Sequence, residues 1–373
     1  MKRGTIKRFS LLLITLSIAF GLLGCSSQTA APGNTTTSTR TITDAVGRQV
    51  EIPIQVERII PLGSTPRMIT YLGLADKVVG IGESHLASNP IQAYGWINKE
   101  HWSTLPVCGT DAMGETAYYP EEIILAKPDV ILCSYTSDVA EAIQKQTGIP
   151  TVSVPQGTLF GEDYEQALRM LGDVCGVSQR AEAVIAFIND ALSDLRTRTE
   201  NIPTENKPTV LAAGATFKGS HSIDGVYINY PVFEAIHAND LAAGLTSQTG
   251  MNGVMVDREQ ILLWDPEIIF FDAGSMGLVR SDYSENRAYF DQLQSVRDDA
   301  LYQLPNSTWH WTNVEIPLVS AYFVGKLLHP QTFEELDFDQ KASEIFDFFL
   351  GEPDYLTTLE AVGAGYGKVK LSD

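Results

Sequence analysis

At 373 residues the chain is too long for one ordinary hydrophobic core and about right for two. Hydrophobic residues make up 44% and charged residues 19%, the balance of a folded soluble protein rather than of a disordered one. A formal net charge of −20 repels phosphate backbones and anionic membrane surfaces, which argues against nucleic-acid binding.

The chain opens on a basic start, Lys2, Arg3, Lys7 and Arg8, followed by an apolar run over residues 9–23. That run is shorter than the ~20 residues of an ordinary membrane span. It stops at Leu22-Leu23-Gly24-Cys25, which resembles a bacterial lipoprotein signal with Cys25 as the lipidated residue. A plain secretion signal with an incidental cysteine is the alternative. Residues 1–24 are thus expected as a leader and 25–40 as a polar tether without core-forming residues. Removing the leader removes four basic residues and no acids, taking the charge from −20 to −24. One acyl chain binds a bilayer weakly, so a stable anchor requires more than one. The expected location is extracytoplasmic, lipid-anchored to a bacterial cell membrane. Cys108, Cys133 and Cys175 remain and show no CxxC or zinc spacing. Cys108 and Cys133 sit at the ends of apolar stretches, open either to a disulfide between neighbouring strands or to buried thiols.

From Thr41 the pattern alternates strand and helix. "VERIIPLG" reads as a strand and "STPRMITYLGL" as a helix, with Ser64 or Thr65 as cap and Pro66 in the first turn, where its missing N–H is no loss. "DKVVGIG" reads as a strand, "HLASNPIQAYGWINKEHW" as a long aromatic loop, and "LPVCG" as a short strand. "PEEIILA" reads as a short helix, "KPDVILCS" as a strand, "DVAEAIQKQTG" as a helix and "IPTVSV" as a strand. A helix ending at Gly176 follows. A second runs from Ser178 to about Arg198, with Ala181, Ile185, Ile188, Leu192 and Leu195 at helical spacing. After "NIPTENKP" the grammar repeats: "TVLAAGA" strand, "NYPVFEAIHANDLA" helix, "REQILLW" helix, "DPEIIFFDAG" strand, then helices at "SAYFVGKLL" and "SEIFDFFLG".

Two stretches are nearly the same sentence: "PEEIILAKPDVILC" and "REQILLWDPEIIFF", with Glu121 and Glu259, and Pro128 and Pro266, each 138 positions apart. The reading is α/β: two similar lobes with mostly parallel sheets, connected by a single long helix. The predicted divisions are an N-terminal lobe over 41–160, connecting helices and linker over 161–206, and a C-terminal lobe over 207–373.

The order of "ITDAVGRQVEIPIQVERIIPLG", "KPDVIL" with "TGIPTVSV", "REQILLWDPEIIFFD" and "LPNSTWHWTNVEIPLVSAYFVGKLLHP" resembles the substrate-binding proteins of ABC importers for ferric chelates, haem and cobalamin. The resemblance implies a ligand cleft between the lobes and a stiff linking helix that permits only small hinge motion. It also implies one exposed glutamate on each lobe, docking on permease arginines. By position these are Glu121 and Glu259, with the neighbouring Glu122 an alternative on the first lobe. The other reading of both is a solvated acid at a positive helix start. The implied partners are a small-molecule ligand, a permease and, through it, an ATPase. The chain is expected to act as a monomer.

Ligands of open α/β sheets sit beyond the carboxyl ends of the strands. That rule points to Ser64 and Thr65, where capping and anion binding are equally good readings. Arg67 is expected at the surface. Aromatic walls with a few cations suit a large chelate, and the candidate contacts are Trp96, His221, Tyr227, Arg280 and Trp309. Six histidines, at 85, 101, 221, 237, 310 and 329, show no ligand pair at helical spacing, so no resident metal is expected. The sequence lacks GxSxG, HExxH and Walker motifs, and "GAGYGK" near the end is followed by no suitable helix. No enzymatic activity and no cofactor are expected; the cargo read first is a ferric siderophore or related chelate. Molybdate or tungstate, haem and cobalamin are alternatives on the same fold, and a surface-anchored hydrolase or adhesion module is a distant one.

Overall fold

The structure is a computed structural model in which residues 38–110, 116–247, 252–306 and 313–372 are described. The calls on Cys25, the leader, most of the tether and the Trp309–His310–Trp311 cluster lie outside these residues. A hairpin comes first, β1 (Thr39–Thr43) and β2 (Gln49–Pro53), paired antiparallel. Period-two alternation turns Val50 and Ile52 inward. Asp44 closes the turn by accepting from the Arg48 backbone N–H at 2.8 Å and pairing with its guanidinium at 2.6 Å.

Lobe one continues through β3 (Ile59–Pro61), α1 (Thr65–Tyr71), β4 (Ile81–Gly82), α2 (Ala93–Ile97), α3 (Lys99–Trp102), β5 (Val107–Thr110) and β6 (Ala117–Tyr118). α4 (Pro120–Ala126), β7 (Val130–Cys133), α5 (Ser137–Thr147) and β8 (Thr151–Ser153) complete it. β3, β7 and β8 are parallel in that spatial order, with Ile59 opposite Val130 and Ile131 opposite Thr151. All four residues of β7 are buried, as strands covered on both faces must be. A parallel bridge between Ile59 and Val78 links this trio to a second sheet, β4–β5–β6.

Two expectations change here. The stretch read as an aromatic loop holds α2 and α3, and Tyr94 and Trp102 are core residues. Their apolar bulk drives burial even though the local Asn, Pro and Gly residues read as a loop. Cys108 and Cys133 lie in different sheets, on β5 and β7, rather than on neighbouring strands, and both are buried, as is Cys175.

α6 (Glu162–Cys175) ends at Gly176, φ +74°, and α7 (Ser178–Thr199) follows. The 22 residues of α7 span ~33 Å at ~1.5 Å each. Lobe two is built from β9 (Thr209–Ala213), β10 (Gly225–Tyr227), α8 (Pro231–Ala235), β11 (Asn239–Asp240), β12 (Gly253–Met255), α9 (Arg258–Trp264) and β13 (Ile268–Asp272). α10 (Met276–Glu285), α11 (Arg287–Phe290), α12 (Gln294–Arg297), β14 (Leu301–Leu304), α13 (Glu315–Leu328), α14 (Phe338–Leu350), α15 (Tyr355–Glu360) and β15 (Gly367–Lys368) follow. The helix expected across residues 229–242 stops at Ala235, because His237 takes φ +49° and the chain turns into β11.

The centre of lobe two, β9–β13–β14, is a parallel trio matching β3–β7–β8, flanked by antiparallel β10 and parallel β11 on β9 and by antiparallel β15 on β14. The match is residue by residue. Lys127 and Asp265, 138 apart, both end their helices in left-handed conformation, φ 50° and 40°, just before the paired prolines. The next residues, Asp129 and Glu267, both clamp the start of the neighbouring strand. Asp129 Oδ2 accepts from the N–H groups of Glu57 and Arg58 at 2.8 and 2.9 Å; Glu267 Oε2 accepts from Thr209 N at 2.6 Å. The duplicated sentence therefore encodes a duplicated device: a short helix, a stop, and an acid that fixes strand register.

The lobes are joined by more than α7. α14 packs on α1 and α2. Arg180 of α7 donates to Tyr71 O at 2.9 Å and Phe348 O at 2.6 Å, and Tyr355 Oη donates to Pro90 O at 2.6 Å. These contacts tie the two halves of the chain together alongside α7.

Candidate functional site

Each parallel trio ends in a glycine turn at its carboxyl edge. Gly63 follows β3 at φ +63°, and Gly214 follows β9 at φ +69°. Only glycine takes this conformation without strain. Gly63 also lies against Ser134, whose Oγ would stand 2.5 Å from an added Cβ. The turns deliver "GSTPR" and "GATFK" to equivalent positions, one per lobe.

In lobe one, Thr65 Oγ1 is taken up by backbone, donating to Leu62 O at 2.9 Å and Leu132 O at 3.1 Å. Ser64 makes no capping hydrogen bond; its N–H donates to Ser134 Oγ at 2.9 Å, and its own Oγ is buried without a partner among the described residues. Arg67, expected at the surface, is 2% exposed. It lies on α1, every residue of which is buried among β3, α2 and α14. Its Nη2 donates to Gln156 O and Gly157 O at 3.1 and 3.2 Å, and its guanidinium lies 5.3 Å from the Tyr164 ring centre. Nε and Nη1 have no partner among the described residues.

At the junction, Tyr71 Oη donates to Glu315 Oε2 at 2.5 Å and accepts from Val314 N at 3.2 Å, linking α1 to the start of α13. Burial, offset in part by this hydrogen bond, pushes the Glu315 carboxyl up to about 6. Glu315 Oε1 and both side-chain polar atoms of Asn313 are buried without partners among the described residues. Unsatisfied buried groups are costly, so a concentration of them marks where something else binds.

In lobe two the corresponding edge carries a closed network. Tyr227 Oη donates to Asp272 Oδ2 at 2.6 Å, Gly274 N donates to Asp272 Oδ1 at 2.7 Å, and Thr216 bridges Tyr227 and Asp272. Burial raises the Asp272 carboxyl to about 6 against these donors. Tyr227 stacks on Tyr230 at 5.0 Å, and Ser275 Oγ is buried without a partner among the described residues.

The predicted contacts are thus dispersed. Ser64 and Thr65 stand at the lobe-one edge and Tyr227 at the lobe-two edge. The His221 ring lies tilted against Phe217, centres 4.3 Å apart, and its Nε2 is 2.8 Å from Phe217 O. Trp96 packs half-buried on α2 with Lys99 Nζ 3.3 Å from its ring centre. Arg280 lies on α10 beside the C-terminal strand, among Gln303, Glu360 and Lys370. Trp309 lies outside the described residues. Glu121 and Glu259 are both exposed in the first turns of α4 and α9. Sequence reading missed Arg67, Tyr71, Glu315 and Asp272. The one local signal was the placement of Arg67 three residues after Ser64.

Among the described residues no helix is long and apolar enough to cross a membrane. The family model described as "Periplasmic binding protein" matches residues 64–304. The molybdate-binding protein MolA of Haemophilus influenzae is 21% identical over 337 residues, 83% of this chain and 90% of that one. A periplasmic solute-binding protein from Veillonella parvula superposes with a TM-score of 0.66 at 22% identity, covering 88% of this chain and 98% of its own. Helicobacter pylori CeuE in its Ni-His complex superposes at 0.60 with 16% identity, covering 87% and 99%. In this family the molecule held is a transported solute rather than a cofactor, and its place is outside the cytoplasm. Twin α/β lobes, matched carboxyl edges and a family match across both lobes lead to one identification: this chain belongs to the periplasmic binding protein family, the solute-binding components of ABC transporters.

Proposed function

We propose that this protein captures an anionic, oxygen-rich metal solute between the carboxyl edges of its two sheets and hands it to a membrane permease. A metal oxyanion of the molybdate class is the first reading. The observation that carries it is Arg67, a buried guanidinium whose Nε and Nη1 have no partner among the described residues, three residues after Ser64, whose hydroxyl is likewise buried without one. A buried cation with donors to spare is compensated by an anion that accepts several hydrogen bonds. The Ser275 hydroxyl offers a further donor from the other lobe. The likeness to a molybdate-binding protein over most of the chain supports the same class. An anionic metal chelate, such as the ferric siderophore expected from the sequence, is the second reading, favoured by the likeness to CeuE in its Ni-His complex.

In this account the protein is not an enzyme. Binding draws the lobes slightly together, and Glu121 and Glu259 then engage the permease, with transport powered by a separate ATPase. The chain acts as a monomer, held at the membrane by lipid on Cys25. Calorimetric titration with sodium molybdate and with a ferric hydroxamate separates the readings. Binding of molybdate by the wild type, weakened at least tenfold in Arg67→Gln, supports the first. Binding of the chelate alone, with a coloured complex, supports the second. No binding of either, or equal binding by the variant, refutes the role given to Arg67.

A further inference from the structure

The two exposed glutamates have matched apolar neighbours. Leu125 follows Glu121 by four residues on α4, and Leu263 follows Glu259 by four on α9; each pair is separated from its counterpart by 138 positions. Leu125 is 70% exposed and Leu263 80%, while the same helices bury Ile123 and Ile261. Side chains at i and i+4 stand one above the other on a helix, roughly 5–6 Å apart at Cβ. Each helix therefore presents a carboxylate and an isobutyl group on one outward stripe. Ile124 and Tyr119 widen the apolar area on lobe one, and Met255, at the edge strand leading into α9, is exposed on lobe two.

A single exposed leucine needs no explanation. The same leucine at the same place in both lobes, four residues from the same acid, is a repeated patch. A repeated patch is complemented by a partner with two like faces. The acid on each patch and the strongly negative chain call for a basic group beside each apolar pocket on that partner.

We propose that Leu125 and Leu263 are apolar anchors of the permease-docking face. Each seats in an apolar pocket next to the basic group that receives Glu121 or Glu259, on the two like subunits of a two-fold symmetric permease. This rests on reading the two glutamates as docking residues. The acids govern encounter, and the leucines govern how long the complex lasts.

The test compares Leu125→Gln, Leu263→Gln and their double with Glu121→Lys plus Glu259→Lys, by surface plasmon resonance on the cognate permease in nanodiscs. Both leucines are exposed, so thermal unfolding is unchanged in every leucine variant. Each single leucine change speeds dissociation about tenfold, the double about a hundredfold, with association rate and salt dependence as in the wild type. The glutamate reversals instead slow association and flatten its salt dependence. Docking lost with the glutamate reversals but intact in the leucine double overturns the proposal and leaves the glutamate reading standing. Docking intact in both sets overturns the glutamate reading and the proposal with it. A wild-type dimer that the leucine double dissociates, or wild-type binding to empty nanodiscs, assigns the patch elsewhere and also overturns the proposal.

Discussion

Glu315 sits at the junction of the lobes, and replacing it with Gln changes how stability depends on pH. Burial lifts its carboxyl from an ordinary 4.5 to about 6, despite the hydrogen bond from Tyr71. The folded protein therefore binds this proton more tightly than the unfolded chain does. Stability from this group is greatest below pH 4.5, falls as pH rises from 4.5 to 6, and is level above. At 1.36 kcal/mol per pH unit the difference amounts to about 2 kcal/mol. Glutamine carries no proton to lose, so Glu315→Gln removes this slope. Other titrating groups, Asp272 among them, are shared by both proteins and cancel in the comparison. The assay is urea unfolding of wild type and variant at pH 4.5, 6 and 8. The stability of the variant relative to the wild type is expected to rise by about 2 kcal/mol between pH 4.5 and 8. Tyr71→Phe does the opposite: it strips the donor that restrains the Glu315 carboxyl, so its pH dependence is steeper than in the wild type. A wild-type-minus-glutamine difference constant within about 0.5 kcal/mol refutes the burial argument.

Three more outcomes follow from the same geometry. Gly63→Ala destabilises by more than 2 kcal/mol, because the new Cβ meets Ser134 Oγ at 2.5 Å in a left-handed backbone; Gly214→Ala, with its nearest neighbour at 3.4 Å, costs only about 1 kcal/mol, and thermal unfolding ranks the two. Removing either strand clamp, by Asp129→Ala or Glu267→Ala, costs about 1–2 kcal/mol in urea unfolding, and the two losses add because they fall in separate sheets. Burial pushes the thiols of Cys108 and Cys175 up to about 12, so a disulfide-exchange reagent at pH 8 leaves them unmodified until urea unfolds the chain.

How much was legible in the sequence follows from what holds each part in place. The duplicated helix, stop and strand were readable because every component is local: an inward isoleucine, a helix-ending proline, a run of four or five apolar residues. The positions of Glu121 and Glu259 came with them. The 85–102 region was misread because Tyr94 and Trp102 are buried by long-range packing, while their neighbours carry loop chemistry. Arg67 was placed outside for the same reason. A charged side chain on a seven-residue helix reads as solvated, and the groups that enclose it, Gln156, Gly157, Tyr164 and the packing of α2 and α14 on α1, are all brought in by the tertiary fold. Glu315 pairs with Tyr71 across 244 positions, and no local pattern announces such a contact.

The account rests on an anionic metal solute held between the carboxyl edges of the two sheets. A crystal grown with molybdate and measured at the molybdenum absorption edge tests this most directly. One anomalous peak is expected between Ser64 and Arg67 of lobe one and Ser275 of lobe two. A peak elsewhere, or no peak in crystals that diffract well at that edge, contradicts it.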